Sequence, residues 1–338
     1  MKRRTIISFM LALGVVSASL LQVHTIHAQS AQNQTSGITA TEGMQISPAR
    51  VELNAEPGKT YTVPLKVTNV TSSNLTFTYV VNDFGQKNET GTPNIMLDDV
   101  PRSASIKQWV QPISTFNLKP GEEIAFDATL KVPADAEPGG HYGIVRFSGN
   151  EPNVSGNGVG LSASAGTIFL VRVAGDIKEQ VNLITFSGAK GDSFSNFFES
   201  GPVTLVTRFK NTGNVHVKPT GHIEVRDIFG NVAGTLDVNK DLGNVLPGSV
   251  RRFESTLKDK PLFGPYTAHL SIGYGTAGQA ITEDFTFWVI PYKPILLGLL
   301  SIVTLFFVIR LLVKRYNRYI ISQVTGNHGK DSSKKKKR

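Results

Sequence analysis

The sequence predicts an all-β body of two tandem Ig-like β-sandwich domains, followed by one C-terminal transmembrane helix. Three observations carry this expectation. Apolar and polar residues alternate at period two through a body punctuated by Pro and Gly. A set of strand and turn motifs occurs twice. A single long apolar run lies near the C-terminus.

The alternation is clearest in Tyr61-Thr-Val-Pro-Leu-Lys-Val-Thr68, which puts Tyr61, Val63, Leu65 and Val67 on one face of a strand. Leu75-Thr-Phe-Thr-Tyr-Val-Val81 alternates in the same way. Glu56-Pro57-Gly58 and Lys119-Pro120-Gly121 read as turns between strands, because Pro presets φ and Gly supplies the positive φ that follows. No segment of the body gives a convincing amphipathic helix of more than two or three turns.

The repeat has three landmarks. The first unit carries Leu65-Lys-Val-Thr-Asn69, then Leu118-Lys-Pro-Gly121-Glu122, then Pro138-Gly-Gly-His-Tyr142-Gly-Ile-Val-Arg-Phe147. The second carries Val206-Thr-Arg-Phe-Lys-Asn211-Thr-Gly213, then Leu246-Pro-Gly248-Ser, then Phe263-Gly-Pro-Tyr266-Thr-Ala-His-Leu-Ser-Ile272. Offsets of 142, 127 and 124 residues keep the order while loop lengths change. Each unit reads as seven or so short strands in roughly 110–130 residues, the pattern of an Ig-like sandwich. The expected domains are 44–177 and 178–292. The first closes on the strand Thr167–Val173, after a loop at Glu151–Gly160. The second contains the hairpin Gly221–Val232, turning at Phe229-Gly230-Asn231.

The two ends set an expected topology. Lys2-Arg3-Arg4, an apolar stretch from Ile6 to Leu21 and a small-residue end at Ala28 read as a signal peptide over residues 1–28; an uncleaved anchor is the alternative. Residues 29–43 form a polar, disordered lead-in. Ile295 to Val313 is apolar but for Arg310 and is assigned, with Pro294, as a span over 294–313. A helix of ~20 residues crosses a bilayer core of about 30 Å. Trp288 and Tyr292 flank it on one side and Tyr316 and Tyr319 on the other, as interfacial aromatics do. Lys314, Arg315 and Arg318 follow at once, so the positive-inside rule puts the tail 314–338 in the cytoplasm and the body outside the cell. The anchor is thus membrane-embedded, with Ile295 and Val313 at its limits and Lys314 and Arg315 at its inner edge.

Charge and cysteine content exclude several function classes. The net charge of +9 comes from the ends: thirteen of the 35 basic residues lie in 1–28 and 310–338, leaving 22 against 25 acidic residues, a body of about −3. That body offers no footprint for a phosphate backbone, so no nucleic-acid partner is expected. With Cys 0, disulfides, thiolate zinc sites and cysteine nucleophiles are all excluded, which fits a bacterial envelope.

The motifs together resemble the WxL-interacting protein family of Gram-positive cell surfaces. The residues that carry the resemblance are the Ile46-Ser-Pro48 opening, the Asn69 turn, Pro120-Gly-Glu122, Pro138-Gly-Gly-His-Tyr-Gly143, Phe209-Lys-Asn-Thr-Gly-Asn-Val215, the span and the basic tail. They cover most of residues 44–338. The resemblance implies a first domain that binds peptidoglycan and a second that binds a WxL-type surface protein.

A search for chemistry finds little. Of the four body histidines, His141, His216, His222 and His269, none forms a His-Glu-x-x-His motif, and they read as surface strand residues. Zinc held by His216 and His222 across a turn is an alternative. Gly58-Lys59-Thr60 lacks the first glycine of a P-loop, because position 53 is Leu. Ser164 lies outside a nucleophile elbow. Asp98-Asp99 and Glu122-Glu123 are adjacent pairs that face opposite ways on a strand, and read as loop charges or a weak calcium site. Trp109 reads as core packing of a central strand or as a sugar-stacking aromatic; Tyr142, after His141, reads as a corner tyrosine bonded to backbone or as a glycan contact. Trp109, His141 and Tyr142 are therefore the candidate glycan-binding residues. No catalytic residue, metal or cofactor is expected, and the chain is not expected to be an enzyme. It reads as a non-catalytic binding or scaffold protein, standing on a membrane stalk, that attaches to peptidoglycan and a partner surface protein. The alternative is a membrane-tethered accessory subunit of an envelope enzyme or secretion system.

Overall fold

The computed structural model describes residues 43–98, 100–150, 162–258 and 261–332. The expected signal segment, the lead-in up to Thr41 and Glu42, Asp99, the loop at 151–160 and the Lys334–Arg338 run lie outside the described residues.

The body is all-β. Its first half holds β1 (Met44–Ser47), β2 (Arg50–Ala55), β3 (Thr60–Asn69), β4 (Leu75–Gln86), β5 (Pro93–Met96), β6 (Phe116–Leu118), β7 (Glu123–Lys131), β8 (Gly139–Asn150) and β9 (Ser162–Val173). One sheet runs β1-β3-β7 and the other β2-β9-β8-β4-β5, with β6 also on β4. The second half holds β10 (Val181–Lys190), β11 (Ser193–Ser195), β12 (Phe197–Phe198), β13 (Val203–Asn211), β14 (Thr220–Asp227), β15 (Val232–Val238), β16 (Val250–Leu257), β17 (Gly264–Tyr274) and β18 (Gln279–Val289). Its sheets run β11-β10-β13-β16 and β12-β18-β17-β14-β15. The extra strands over the expected seven are short pieces such as β6, β11 and β12, two or three residues long, over which no periodicity can be read.

Each half encloses its own core between its two sheets. The alternation of β3 sends Val63, Leu65 and Val67 inward, where they meet Phe77 of β4, Phe147 of β8 and Phe169 of β9. The second core is built on Leu205, Phe209, Ile223, Leu270 and Phe287. The first core ends at Val173 and the second begins at Val181. Removing each large side chain from water contributes about 1.5–3 kcal/mol, the dominant favourable contribution to both halves.

The sequence repeat has a physical basis. The Asn69 side chain donates to the carbonyls of Ser73 (2.8 Å) and Leu118 (3.0 Å), and the Asn69 backbone carbonyl accepts from Gly121 N (2.8 Å). Asn211 repeats the arrangement, donating to Val215 O (2.8 Å) and Val245 O (2.8 Å) and accepting from Gly248 N (3.0 Å). Gly121 and Gly248 share a φ of 73°, as the third position of a Pro-Gly turn requires. The motif pair therefore marks one buried asparagine bolting a strand end to a Pro-Gly turn, made twice.

α1 (Tyr292–Ser332) is one continuous helix of 41 residues, and its stretch Tyr292–Ile321 is long and apolar enough to cross a membrane. It starts two residues before the expected 294 and runs on through Lys314, Arg315 and Arg318. The first charges end an apolar stripe, not a helix, and no Pro or Gly interrupts the backbone there. Pro294 sits in the first turn, where its missing N–H costs no hydrogen bond. Only Ile290 and Pro291 separate β18 from α1.

Candidate functional site at the junction of the two halves

The Pro138-Gly-Gly-His-Tyr-Gly143 segment opens β8 and meets the loop after Asn211. Gly140 N donates to Asn214 O (2.8 Å). Tyr142 Oη accepts from His216 N at 3.0 Å and lies 3.3 Å from His216 Nδ1. Glycine is obligatory at 140, since a Cβ there would fall 1.8 Å from Tyr142 Oη. Asn214 in turn holds the connecting chain, donating to Asp176 O (2.8 Å) and accepting from Lys178 N (2.7 Å). Tyr142, Leu170 of the first half and Leu246 of the second form a small buried apolar cluster between the halves, with the Phe84 ring 6.1 Å from that of Tyr142.

Three carboxylates complete the junction. Glu89, in the β4–β5 loop, receives a fork from Arg208 of β13, with Nε at 2.7 Å and Nη2 at 2.5 Å, while Glu89 O accepts from Arg252 N at 2.7 Å. The Arg208 bonds hold the Glu89 carboxyl below its ordinary range, outweighing the opposing effect of burial. Glu52 of β2 receives Lys218 Nζ and Asn244 Nδ2, the latter at 3.1 Å. Burial pushes Glu52 up, but those two bonds and the charges of Lys218 and Arg50 prevail and its pKa is lowered. Glu179 joins Arg172 Nη1 (2.5 Å) to Thr276, whose N and Oγ1 both donate at 2.7 Å. Burial pushes Glu179 up, and the Thr276 and Arg172 bonds hold it below the ordinary value.

His216 stays neutral at physiological pH. Burial drives its pKa down to about 4, with Glu52 opposing and Lys218, Arg172 and Arg50 adding to the fall. A neutral ring leaves Nδ1 free to accept the Tyr142 hydroxyl proton while that oxygen accepts the His216 N–H. Burial also pushes the Tyr142 phenol above its ordinary value.

The structure brings Trp109 and His141 together, with rings 4.4 Å apart, while Tyr142 points across the junction instead. Trp109 lies in a turn between β5 and β6, not on a central strand. Its carbonyl accepts from Lys131 N (2.8 Å), and its side chain is 7% exposed within the first core. His141 is 3% exposed and donates from Nε2 to Glu137 O (2.8 Å), so it is a buried residue rather than the surface strand histidine expected. His216 departs from the same expectation, lying in the β13–β14 loop at the junction. His222 is exposed on β14, and His269 of β17 pairs with Asp284 (2.7 Å). Among the described residues no group of three or more His, Cys, Asp or Glu could hold a metal ion. Asp98 is paired with Arg102, Glu123 with Lys66, and Glu122 accepts from Lys119 N. A cleft of about 760 Å³ opens beside Trp109, walled by Tyr79, Val81, Asp83, Val100, Lys107 and Gln108. Ile295, Val313, Lys314 and Arg315 are exposed along α1.

The charged partners of the junction escaped sequence reasoning. Glu89 and Arg208 are 119 residues apart and Glu52 and Lys218 are 166 apart, and no local pattern links them. Asn214 was visible as part of the Asn-turn motif, but only its turn was legible.

These observations define the chain as an all-β protein of two-sheet halves with one apolar C-terminal helix. No family model matches it, and no curated protein matches it. Solved structures do. The class 5 fimbriae chaperone CfaA is 14% identical, covers 72% of this chain and 98% of its own, and has a TM-score of 0.39. The YadV chaperone is 10% identical, with 72% and 99% covered and a TM-score of 0.34. The E. coli chaperone DraB is 14% identical, with 74% and 98% covered and a TM-score of 0.33. Likeness at that level carries no argument about what this chain binds.

Proposed function

We propose that this chain is a non-catalytic binding or scaffold protein of the WxL-interacting type: two Ig-like sandwiches held as one body outside the cell on a single span, the first attaching to peptidoglycan and the second to a WxL-type surface protein. The observation that carries the reading is the junction. The buried Tyr142–His216 bond and the half-buried Glu89–Arg208 and Glu52–Lys218 pairs fix one half against the other, as a scaffold needs and a catalytic cleft does not. The cleft beside Trp109, with aromatic, apolar and amide-bearing walls, has the chemistry of a sugar subsite. The detergent-solubilised full chain should sediment with purified sacculi, and should retain a WxL-type protein on beads. Failure of both would sink the reading. Binding should survive a chelator, and its loss on chelation would show that a metal had been missed. The basic residues after Val313 support a cytoplasmic C-terminus, so a Ser332→Cys variant should resist an impermeant thiol reagent in intact cells. Labelling there would invert the topology.

A further inference from the structure

The end of the second half nearest α1 is unusually apolar for a water-facing surface. Phe229 is 82% exposed, Phe263 69%, Ile228 65% and Trp288 46%, and among the described residues no surface covers them. Ile228 and Phe229 come from the β14–β15 turn, Phe263 from the β16–β17 loop and Trp288 from the end of β18, and the strand register brings them to one end. Gly264 pairs with Val289, so Phe263 stands beside the end of β18, three residues before α1 begins. Asp227 pairs with Tyr266, which carries the β14–β15 turn, with Ile228 and Phe229 at its tip, to the same end. Phe197 pairs with Trp288, and its ring lies 6.3 Å from that of Tyr292, the first residue of the helix.

The chain leaves no room for this end to stand clear of α1. Two residues reach about 7 Å when fully extended. Here Ile290 N donates to Phe198 O (2.8 Å) and Tyr292 N to Ile290 O (2.8 Å), so the connection is tied back to the sheet. The charges at this end suit a lipid surface. The carboxylate of Asp227 is occupied by the N–H groups of Phe229 (2.8 Å) and Asn231 (2.9 Å), which shape the turn that raises Phe229. Lys293 pairs with Glu199 (2.6 Å), and Lys258 is exposed. Aromatic side chains at the start of a span, with cations among them, are the chemistry of the headgroup layer.

We propose that this rim dips into the headgroup region of the bilayer that α1 crosses, so that the second half rests on lipid rather than projecting from it. The proposal depends on α1 being a membrane span and holds for either orientation of the chain. The two can be separated in one experiment, because the protein has no cysteine and one introduced thiol reports one position. Full-length Ile228→Cys, Phe263→Cys, Leu305→Cys and Lys240→Cys variants, each carrying an environment-sensitive fluorophore, would be reconstituted into phosphatidylcholine and phosphatidylglycerol vesicles. Lys240 lies beyond the far end of β15 and serves as the water-facing control. Labels at 228 and 263 should shift to the blue and lose intensity when lipids bearing a nitroxide near the headgroup are added. The label at 305 should be lost to a deep nitroxide and that at 240 to neither. Phe229→Ser with Phe263→Ser should restore the intensity of the label at 228. If 305 is quenched while 228 and 263 are not, the rim does not touch lipid and this proposal falls alone. If those two are instead shielded from iodide in water, protein covers the rim and the proposal falls equally. An unquenched 305 removes the span and the proposal with it.

Discussion

At the scale of single residues, the chemistry of this protein lies in what its polar groups give up. His216 is held neutral by burial, with a pKa of about 4 against an ordinary 6.5. The unfolded chain therefore takes up a proton as pH falls through about 6.5, and the folded chain resists doing so until about 4. The sign is fixed by linkage: stability is full above the unfolded value and is lost on acidification across that window. The melting temperature should fall between about pH 7 and pH 5, and His216→Gln should flatten that slope. An equal slope in the variant would move the effect elsewhere. Glu52, Glu89 and Glu179, all held below the ordinary carboxylate value of 4.5, add their loss only at lower pH. Trp109 gives a second test. With 7% of its surface exposed, Trp109→Ala should cost about 3–5 kcal/mol of stability by leaving a cavity in the first core. An unchanged melt with lost sacculus binding would make it a glycan contact instead.

At the scale of elements, the paired asparagines decide where strands end and turns begin. Asn69 and Asn211 are each fully buried and each donates to two carbonyls; on truncation Ser73 O keeps Thr71 Oγ1 and Val245 O keeps Val217 N, while each site loses both amide bonds. Breaking a buried hydrogen bond so that its partner is left unpaired costs about 1–3 kcal/mol, so Asn69→Ala and Asn211→Ala should each destabilise by about that much, measured by urea titration. Similar losses at the two sites are expected because the bonds are the same; a loss at one site alone would break the equivalence. α1 follows other rules. Its length comes from an uninterrupted run of helix-compatible residues, while the part able to cross a membrane comes from where charges begin.

At the scale of the whole molecule, two cores are made into one body. The junction combines an apolar cluster at Tyr142, Leu170 and Leu246 with the Glu89–Arg208 and Glu52–Lys218 pairs. The halves should therefore unfold in one calorimetric transition. Tyr142→Phe removes the acceptor of the His216 N–H, and Arg208→Ala leaves Glu89 without its partner. Combined, they should split the transition in two and expose the 174–180 connection to protease, without changing the strand content seen in the far ultraviolet. A single transition in the double variant would mean that the apolar cluster, the Glu52–Lys218 pair and the Gly140–Asn214 bond suffice for the coupling.

Alternation in Tyr61–Thr68, the Pro-Gly turns and the apolar run after Pro294 were all legible before any coordinates, because each expresses a local rule: the pleat, a preset φ, the cost of polar groups in lipid. The twofold motif was equally legible, although its cause, a buried asparagine joining a nearby carbonyl to one on a distant turn, was not. His141 shows where local reading failed. A histidine on a strand is ordinarily half wet, but here a turn far along the chain folds the Trp109 ring over it. The sequence by itself determined an all-β body, its internal repeat and a helix able to cross a membrane, since those depend on neighbours a few residues apart. Only the tertiary structure decided that Glu89 meets Arg208, that Tyr142 faces the other half, and that two loops and the end of β18 bring their exposed aromatics to one rim beside α1. Those pairings depend on register and docking between segments far apart in the sequence, 74 residues for Tyr142 and His216 and 119 for Glu89 and Arg208, separations over which no periodicity survives.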